Sequence, residues 1–250
     1  RDNFRSTVTK KRYIDFNDPT RFGSVVTHQT ASSNVNTLDV TYVSGSSTNV
    51  GRSRTAEVEV IFPKKFEKSE ENYFTTDFLS SSIAGWSRPH ASRDLQDFSS
   101  YGDAANKSLR LYAVRPFKES KDVYFALENP AGTLRLTSSV YQDVYDDTKW
   151  NFAIRVSPPS GSQADYISGS ATDTHVDIEL YGCNVELGII KYEFTANTTL
   201  AVANASYYYT QPRRYYAGAQ KTNITGSVVT KSDVKISSVR HWESLLTNKE

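Results

Sequence analysis

Residues 56–62 read Ala-Glu-Val-Glu-Val-Ile-Phe, which sets Val58, Val60 and Phe62 on one side of an extended chain and Glu57, Glu59 and Ile61 on the other, before Pro63 ends the run. A period of two with one apolar side marks a strand buried on one face, and proline cannot continue a hydrogen-bonded ladder. The same period recurs in Ser108–Val114, Val123–Leu127, Asn151–Val156, His175–Tyr181, Ile189–Phe194 and Val234–Trp242. No amphipathic helical run lies between these pieces, so the strands pair antiparallel and either stack as two sheets or close into a barrel. Composition agrees: Tyr occurs 16 times, Thr, Val and Phe are frequent, and Ser, Asn, Gly and Asp clusters punctuate the chain as turn signals do in all-β proteins.

A chain of 250 residues buries roughly 70–75% of the surface its unfolded form exposes, enough for one large sandwich without disulfides or a structural metal. The single cysteine, Cys183, has no partner and lies in the apolar stretch Ile178–Cys183, where it reads as a small buried hydrophobe. Twenty-nine basic and 28 acidic residues leave a net charge of +1 with no basic tail, which argues against nucleic acid as a partner. No window approaches the roughly 18 apolar residues a spanning helix needs, and no apolar run follows the charged N-terminus. The chain carries no Met, and Leu246–Glu250 reads as the first turn of a helix, so the sequence is expected to be a segment of a longer protein.

Residues 1–54 are rich in Ser, Thr and Asn, with short strand candidates at Gly23–Thr27 and Leu38–Val43. They read as an N-terminal arm, supplying extra edge strands or the tail of a preceding domain, with Ser44–Arg54 as the joint and residues 55–250 as the sandwich. A loop-rich insertion is expected over Thr75–Lys107, and long loops in compact domains usually carry function.

Four local signatures give the sandwich a family resemblance: the acidic turn and Trp-led strand Val144–Val156, the strand Val176–Gly182, the pieces Arg214–Gln220 and Ile224–Val228, and the closing strand Asp233–Glu243 followed by Leu245–Glu250. In this order they resemble laminin-G-like members of the concanavalin-A superfamily as they occur in large virion structural proteins of tailed bacteriophages. The resemblance implies an all-β fold, an antiparallel two-sheet jelly-roll sandwich, with a short helix at its end. It also implies an extracellular or virion setting, and it leaves the ligand open, because this superfamily hosts lectins, adhesion modules, glycosidases and spacers alike.

Trp150 and Trp242 each lie in an alternating strand and are expected to bury their rings between the sheets. Trp86 falls in Ala84–His90, which reads as a loop, and is a candidate surface aromatic. Tyr207, Tyr208, Tyr209, Arg213, Arg214 and Tyr215 belong to a run of tyrosines and arginines, the residue types that dominate interface energetics, and are candidates for a protein or glycan contact. Asp143, Asp146 and Asp147 are the densest oxygen cluster and the calcium candidates; no other cofactor is indicated, and His28, His90, His175 and His241 show no zinc spacing. Four Asn-x-Ser/Thr sequons (Asn106, Asn197, Asn204, Asn223) suit a surface.

Two strand-borne carboxylate pairs raise glycosidase chemistry, Glu57 with Glu59 and Asp177 with Glu179. Their opposite faces are the apolar ones, so both pairs point away from the core, and neither continues into the superfamily's Glu-x-Asp pattern with a third carboxylate. No nucleophile elbow occurs. The sequence therefore reads as a non-enzymatic virion structural or assembly module working through contacts with other virion proteins or copies of itself; the alternative is a lectin-like adhesion module for host-surface polysaccharide.

Overall fold

The computed structural model describes residues 14–15, 25–30, 54–64, 79–87, 108–157, 175–201, 213–221, 228–242 and 245–248. In chain order the strands are β1 (Ile14–Asp15), β2 (Val25–Thr30), β3 (Arg54–Phe62), β4 (Ser80–Ser87), β5 (Leu109–Val114), β6 (Val123–Glu128), β7 (Arg135–Tyr141), β8 (Thr148–Ser157), β9 (His175–Glu186), β10 (Ile189–Ala201), β11 (Arg213–Gly218), β12 (Gln220–Lys221), β13 (Val228–Thr230) and β14 (Lys235–Trp242). One sheet runs β1-β14-β3-β8-β9-β10, a second runs β2-β11-β4-β5-β6-β7, and β12 with β13 forms a small ribbon. Both six-stranded sheets are antiparallel throughout. The protein is an antiparallel two-sheet jelly-roll sandwich.

The alternation that defines β3 is the one that builds the core, because Val58, Val60 and Phe62 are buried while Glu57, Glu59 and Ile61 stay partly exposed. Across the gap, Phe125 of β6 meets Trp150 and Phe152 of β8 with ring centroids 4.7 Å from each, the tilted geometry that aromatic quadrupoles favour. Gly182 of β9 makes room for this cluster: a Cβ there would lie 2.4 Å from Phe194 Cε1 and 3.0 Å from Phe152 Cδ1.

Two tryptophans exchange the places expected of them. Trp86 lies inside β4, only 2% exposed, paired with Leu109 of β5 and Tyr215 of β11. The neighbouring glycine that suggests a loop is a close-approach position, since a Cβ on Gly85 would stand 2.2 Å from the Leu109 carbonyl oxygen and 2.6 Å from Tyr216 Oη. Trp242 is 40% exposed on the outer face, donating from Nε1 to Glu57 Oε2 at 2.6 Å. A register shift between Ile236 and Ser238 is the cause: one extra residue inverts the facing of everything after it. His241 is thereby turned inward against Tyr215, with Nε2 and Oη 2.8 Å apart.

Residues 245–248 are not helical; Leu246 N donates to Thr55 Oγ1 at 3.0 Å and Asn248 Oδ1 accepts from Arg155 Nη1 at 2.6 Å, laying the segment across the outer face of the first sheet. The arm candidate Gly23–Thr27 overlaps β2, which pairs with β11, while β1 pairs with β14. Leu38–Val43 lies outside the described residues.

A buried polar cluster ties the sheets together. The Arg115 and Asp233 side chains are 0% exposed and paired at 2.8 Å, and Tyr145 Oη donates to the other Asp233 oxygen at 2.6 Å. The Arg115 guanidinium also lies 4.9 Å from the Tyr145 ring centroid, and Asp233 N donates to Ser81 Oγ at 3.1 Å. Burial first, and then the Asp233 charge, push the Tyr145 phenol well above its ordinary range, so it stays protonated as a donor.

Candidate functional site

The turn between β7 and β8 faces two ways at once. Val144 and Tyr145 are buried, whereas Asp143, Asp146 and Asp147 are exposed. Positive φ angles at Asp143 (53°) and Asp147 (57°) make this reversal, and aspartate is among the few residues that tolerate that region. The turn is pinned by Asp143 N donating to Asp122 Oδ1 (2.9 Å), Tyr145 N to the Lys121 carbonyl (3.1 Å) and Thr148 Oγ1 to the Val144 carbonyl (2.5 Å).

Opposite this turn stands the β9–β10 hairpin, and between them opens a cleft of about 490 Å³ lined by Asp143, Asp146, Asp147, Lys149, Asn184, Glu186, Lys191 and Tyr192, among others. That volume falls within the range of small-molecule sites. Tyr192 is 37% exposed, and its ring lies parallel to buried Trp150 with centroids 6.2 Å apart. Lys191 Nζ is 2.9 Å from Glu186 Oε2, and that hydrogen bond together with the Glu186 charge raises its pKa. Lys149 Nζ reaches Glu59 Oε2 at 2.7 Å, and Asn184 Nδ2 donates to the Lys149 carbonyl at 2.7 Å, holding the cleft floor. Four carboxylates (Asp143, Asp146, Asp147, Glu186) against two ammonium groups (Lys149, Lys191) leave the lining net negative.

The calcium candidates do not converge. Asp147 Oδ1 accepts from Lys64 N at 3.1 Å and Asp146 Oδ1 pairs with Lys64 Nζ at 3.3 Å. Among the described residues, no group of three or more His, Cys, Asp or Glu side chains could hold a metal ion.

A second cleft of about 500 Å³ crosses the outer face of the first sheet, between Arg155, Asp177, Glu179, Asn197 and Thr199 and the segment 245–248. Several of its polar groups engage one another: Arg155 Nη1 donates to Glu179 Oε1 at 2.5 Å and also to Asn248, and Thr199 Oγ1 donates to Asp177 Oδ1 at 2.5 Å. The other carboxylate pair is occupied likewise, Glu57 by Trp242 and Glu59 by Lys149 and Ser237.

Of the aromatic and arginine candidates, Trp86 and Tyr215 are buried, 2% and 7% exposed, with their rings in edge contact at 5.5 Å; neither is a surface platform. Arg213 and Arg214 lie in β11, their side chains outside the described residues, as are Tyr207, Tyr208 and Tyr209 altogether. Tyr192 and Lys191 were missed as site residues because Ile189–Phe194 reads from sequence as an ordinary strand. Their function-bearing signal is the turn before them, Leu187-Gly188, which brings the strand's start to the sandwich end.

No family model matches the chain, and no curated protein matches it. Its fold is similar to several solved structures. The CBM40 of the Ruminococcus gnavus IT-sialidase, in a structure bound to α2,3-sialyllactose, aligns with 10% identity and a TM-score of 0.39, over 91% of this chain and 94% of that one. Mouse laminin α1 domains LG4-5 align with 9% identity and a TM-score of 0.36, over 91% and 41% of the two chains. The enzymatically active domain of bacteriophage CBA120 tailspike protein 2 gives 15% and 0.41, over 87% of this chain and 28% of that one.

Proposed function

We propose that the chain is a non-enzymatic, lectin-like module of an extracellular or virion protein, and that it binds a neutral saccharide in the cleft between the Asp143–Asp147 turn and the β9–β10 hairpin. The observation that carries this reading is one opening of about 490 Å³ combining half-exposed Tyr192 with carboxylates, ammonium groups and an amide. Sugars present hydroxyls that donate and accept, and apolar C–H faces that rest on rings, so they require this mixture. The net negative lining favours uncharged over anionic sugars. Binding in this reading needs no calcium, because Asp146 and Asp147 are held by Lys64. The absence of hydrolysis rests on the two carboxylate pairs, whose members are each engaged by a neighbouring side chain.

The test is a glycan array followed by titration calorimetry of the strongest hits, with and without EDTA. A neutral oligosaccharide should bind, Tyr192→Ala should weaken it about tenfold or more, the loss expected when about 1.4 kcal/mol of contact is removed, and EDTA should change nothing. Binding that survives Tyr192→Ala, or that is confined to sialylated and other anionic glycans, would sink the assignment. A second reading, a module that assembles a virion through protein contacts, is favoured by one separate feature, the long outer edge of β10.

A further inference from the structure

Strand β10 is thirteen residues long and ends the first sheet: twelve register pairs join one side of it to β9, and no other described strand takes the second side. An unpaired edge presents a row of backbone donors and acceptors that another strand can match, and proteins normally blunt such edges with proline, lysine, bulges or brevity. β10 carries no proline. Its single lysine, Lys191, is drawn to Glu186, and its one register shift lies at that same residue, near its start. An edge of the second sheet contrasts with it: β7 has seven residues, begins with exposed Arg135, and meets β6 across a register shift.

Exposed apolar side chains gather at the start of β10. Leu187 is 98% exposed, Ile189 71% and Ile190 53%. Leu187 also holds a φ of 52° in the hairpin turn, where Asn or Gly is the usual occupant.

We infer that β10 pairs antiparallel with β10 of a second copy about a twofold axis through Thr195, joining the two six-stranded sheets into one. In that register the side chains are self-complementary. On the outer face Glu193 meets the partner's Asn197, so no like charges stand opposed. On the inner face Phe194 meets the partner's Ala196 and Tyr192 the partner's Thr198, so each ring is matched by a small residue. Twofold symmetry makes the contact closed, as isologous interfaces are. It also sets the partner's Thr198 beside Tyr192, at the margin of the saccharide cleft. The inference rests on the edge and not on the saccharide reading, and either can fail alone.

Thr195 is exposed, so its replacement leaves the core untouched, and at the axis it meets itself. Sedimentation velocity of the full chain should show a dimer. Thr195→Lys and Thr195→Glu should each weaken it about tenfold or more, through like charges held against each other, with unchanged melting temperatures at low concentration. An equimolar mixture of the two variants should restore the dimer, because only across this axis do the lysine and glutamate meet. A wild-type chain that stays monomeric at about 100 µM, where contacts weaker than about 5 kcal/mol vanish, would overturn the inference. So would a Thr195→Lys variant that dimerises like wild type, or a mixture that does not recover. Binding of liposomes or of a different protein by the monomer would assign the apolar tip elsewhere and overturn it equally.

Discussion

Replacing Asp233 by Ala removes the carboxylate that both Arg115 and Tyr145 address, at 2.8 and 2.6 Å. Because the Arg115 and Asp233 side chains are both fully buried, the guanidinium stays charged in the interior without the carboxylate it is paired with. Breaking a buried pair in this way costs about 3–5 kcal/mol. For a chain of this size each kcal/mol lowers Tm by roughly 2–4 °C, so a drop of about 6–20 °C is expected. Urea unfolding followed by tryptophan fluorescence should report the same loss as a lower midpoint with an unchanged slope. The double variant Arg115→Met with Asp233→Leu separates two accounts, since replacing both charges with apolar side chains of similar volume is commonly neutral or stabilising by about 1–4 kcal/mol. It should recover most of what Asp233→Ala loses. If Asp233→Ala costs less than about 1 kcal/mol, the scale of an exposed pair, or if the double variant is no better than the single one, the cluster is not the buried electrostatic pin described here.

Gly85→Ala should destabilise by about 2–3 kcal/mol, the upper part of the overpacking range, because its Cβ would meet a backbone carbonyl at 2.2 Å; Gly132→Ala, with nothing within 4 Å but a φ of 70°, should cost only about 1–2 kcal/mol in thermal unfolding. If the two cost the same, Gly85 is not a close-approach position. Burial alone would raise the Glu59 carboxyl, but hydrogen bonds from Lys149 and Ser237 and the charges of Lys149 and Arg240 outweigh it and hold it below 4.5. The unfolded chain then takes up its proton first on acidification, so this contribution is complete above about pH 4.5 and is lost as pH falls through the lower folded value. Thermal melts over about pH 6 to 3 should show a shallower acid loss for Glu59→Gln than for wild type, and parallel curves would contradict the assignment.

What the sequence made legible follows from how much each feature depends on local alternation. The facing of Val58, Val60 and Phe62 is decided within β3 and is visible in its period of two. The facing of Trp242 is decided by a register shift at Ile236–Ser238, four to six residues before it, and its one mark in the sequence is the doubled serine of Ile-Ser-Ser-Val, which breaks the alternation. Gly85 looks like a turn residue until the Leu109 carbonyl and the Tyr216 ring are placed over it, and that placement comes from β5 and β11, distant in the chain. The acidic turn was visible as a cluster of oxygens but not as two faces, because the positive φ angles that divide it leave no mark in the sequence beyond a tolerance for aspartate. The cleft itself needs the β9–β10 hairpin to reach that turn, a relation between strands that no local pattern states.

The Asp143–Asp147 turn that shapes the cleft also anchors the core, and this couples stability to the proposed site. Tyr145 points inward to Asp233 while Asp146 and Asp147, its immediate neighbours, point out to Lys64. A turn whose reversal depends on two aspartates at positive φ has little freedom to move one face without the other. Tyr145 is fully buried beneath Arg115, and the peptide that carries it is fixed through Lys121. The exposed carboxylates of the cleft wall are thus positioned by an interaction 0% exposed to solvent, which offers a surface site more rigidity than its own side chains supply. Loosening the buried pin should therefore blur the cleft before it unfolds the sandwich, and the Asp233→Ala chain would weaken saccharide binding at temperatures well below its own melting point.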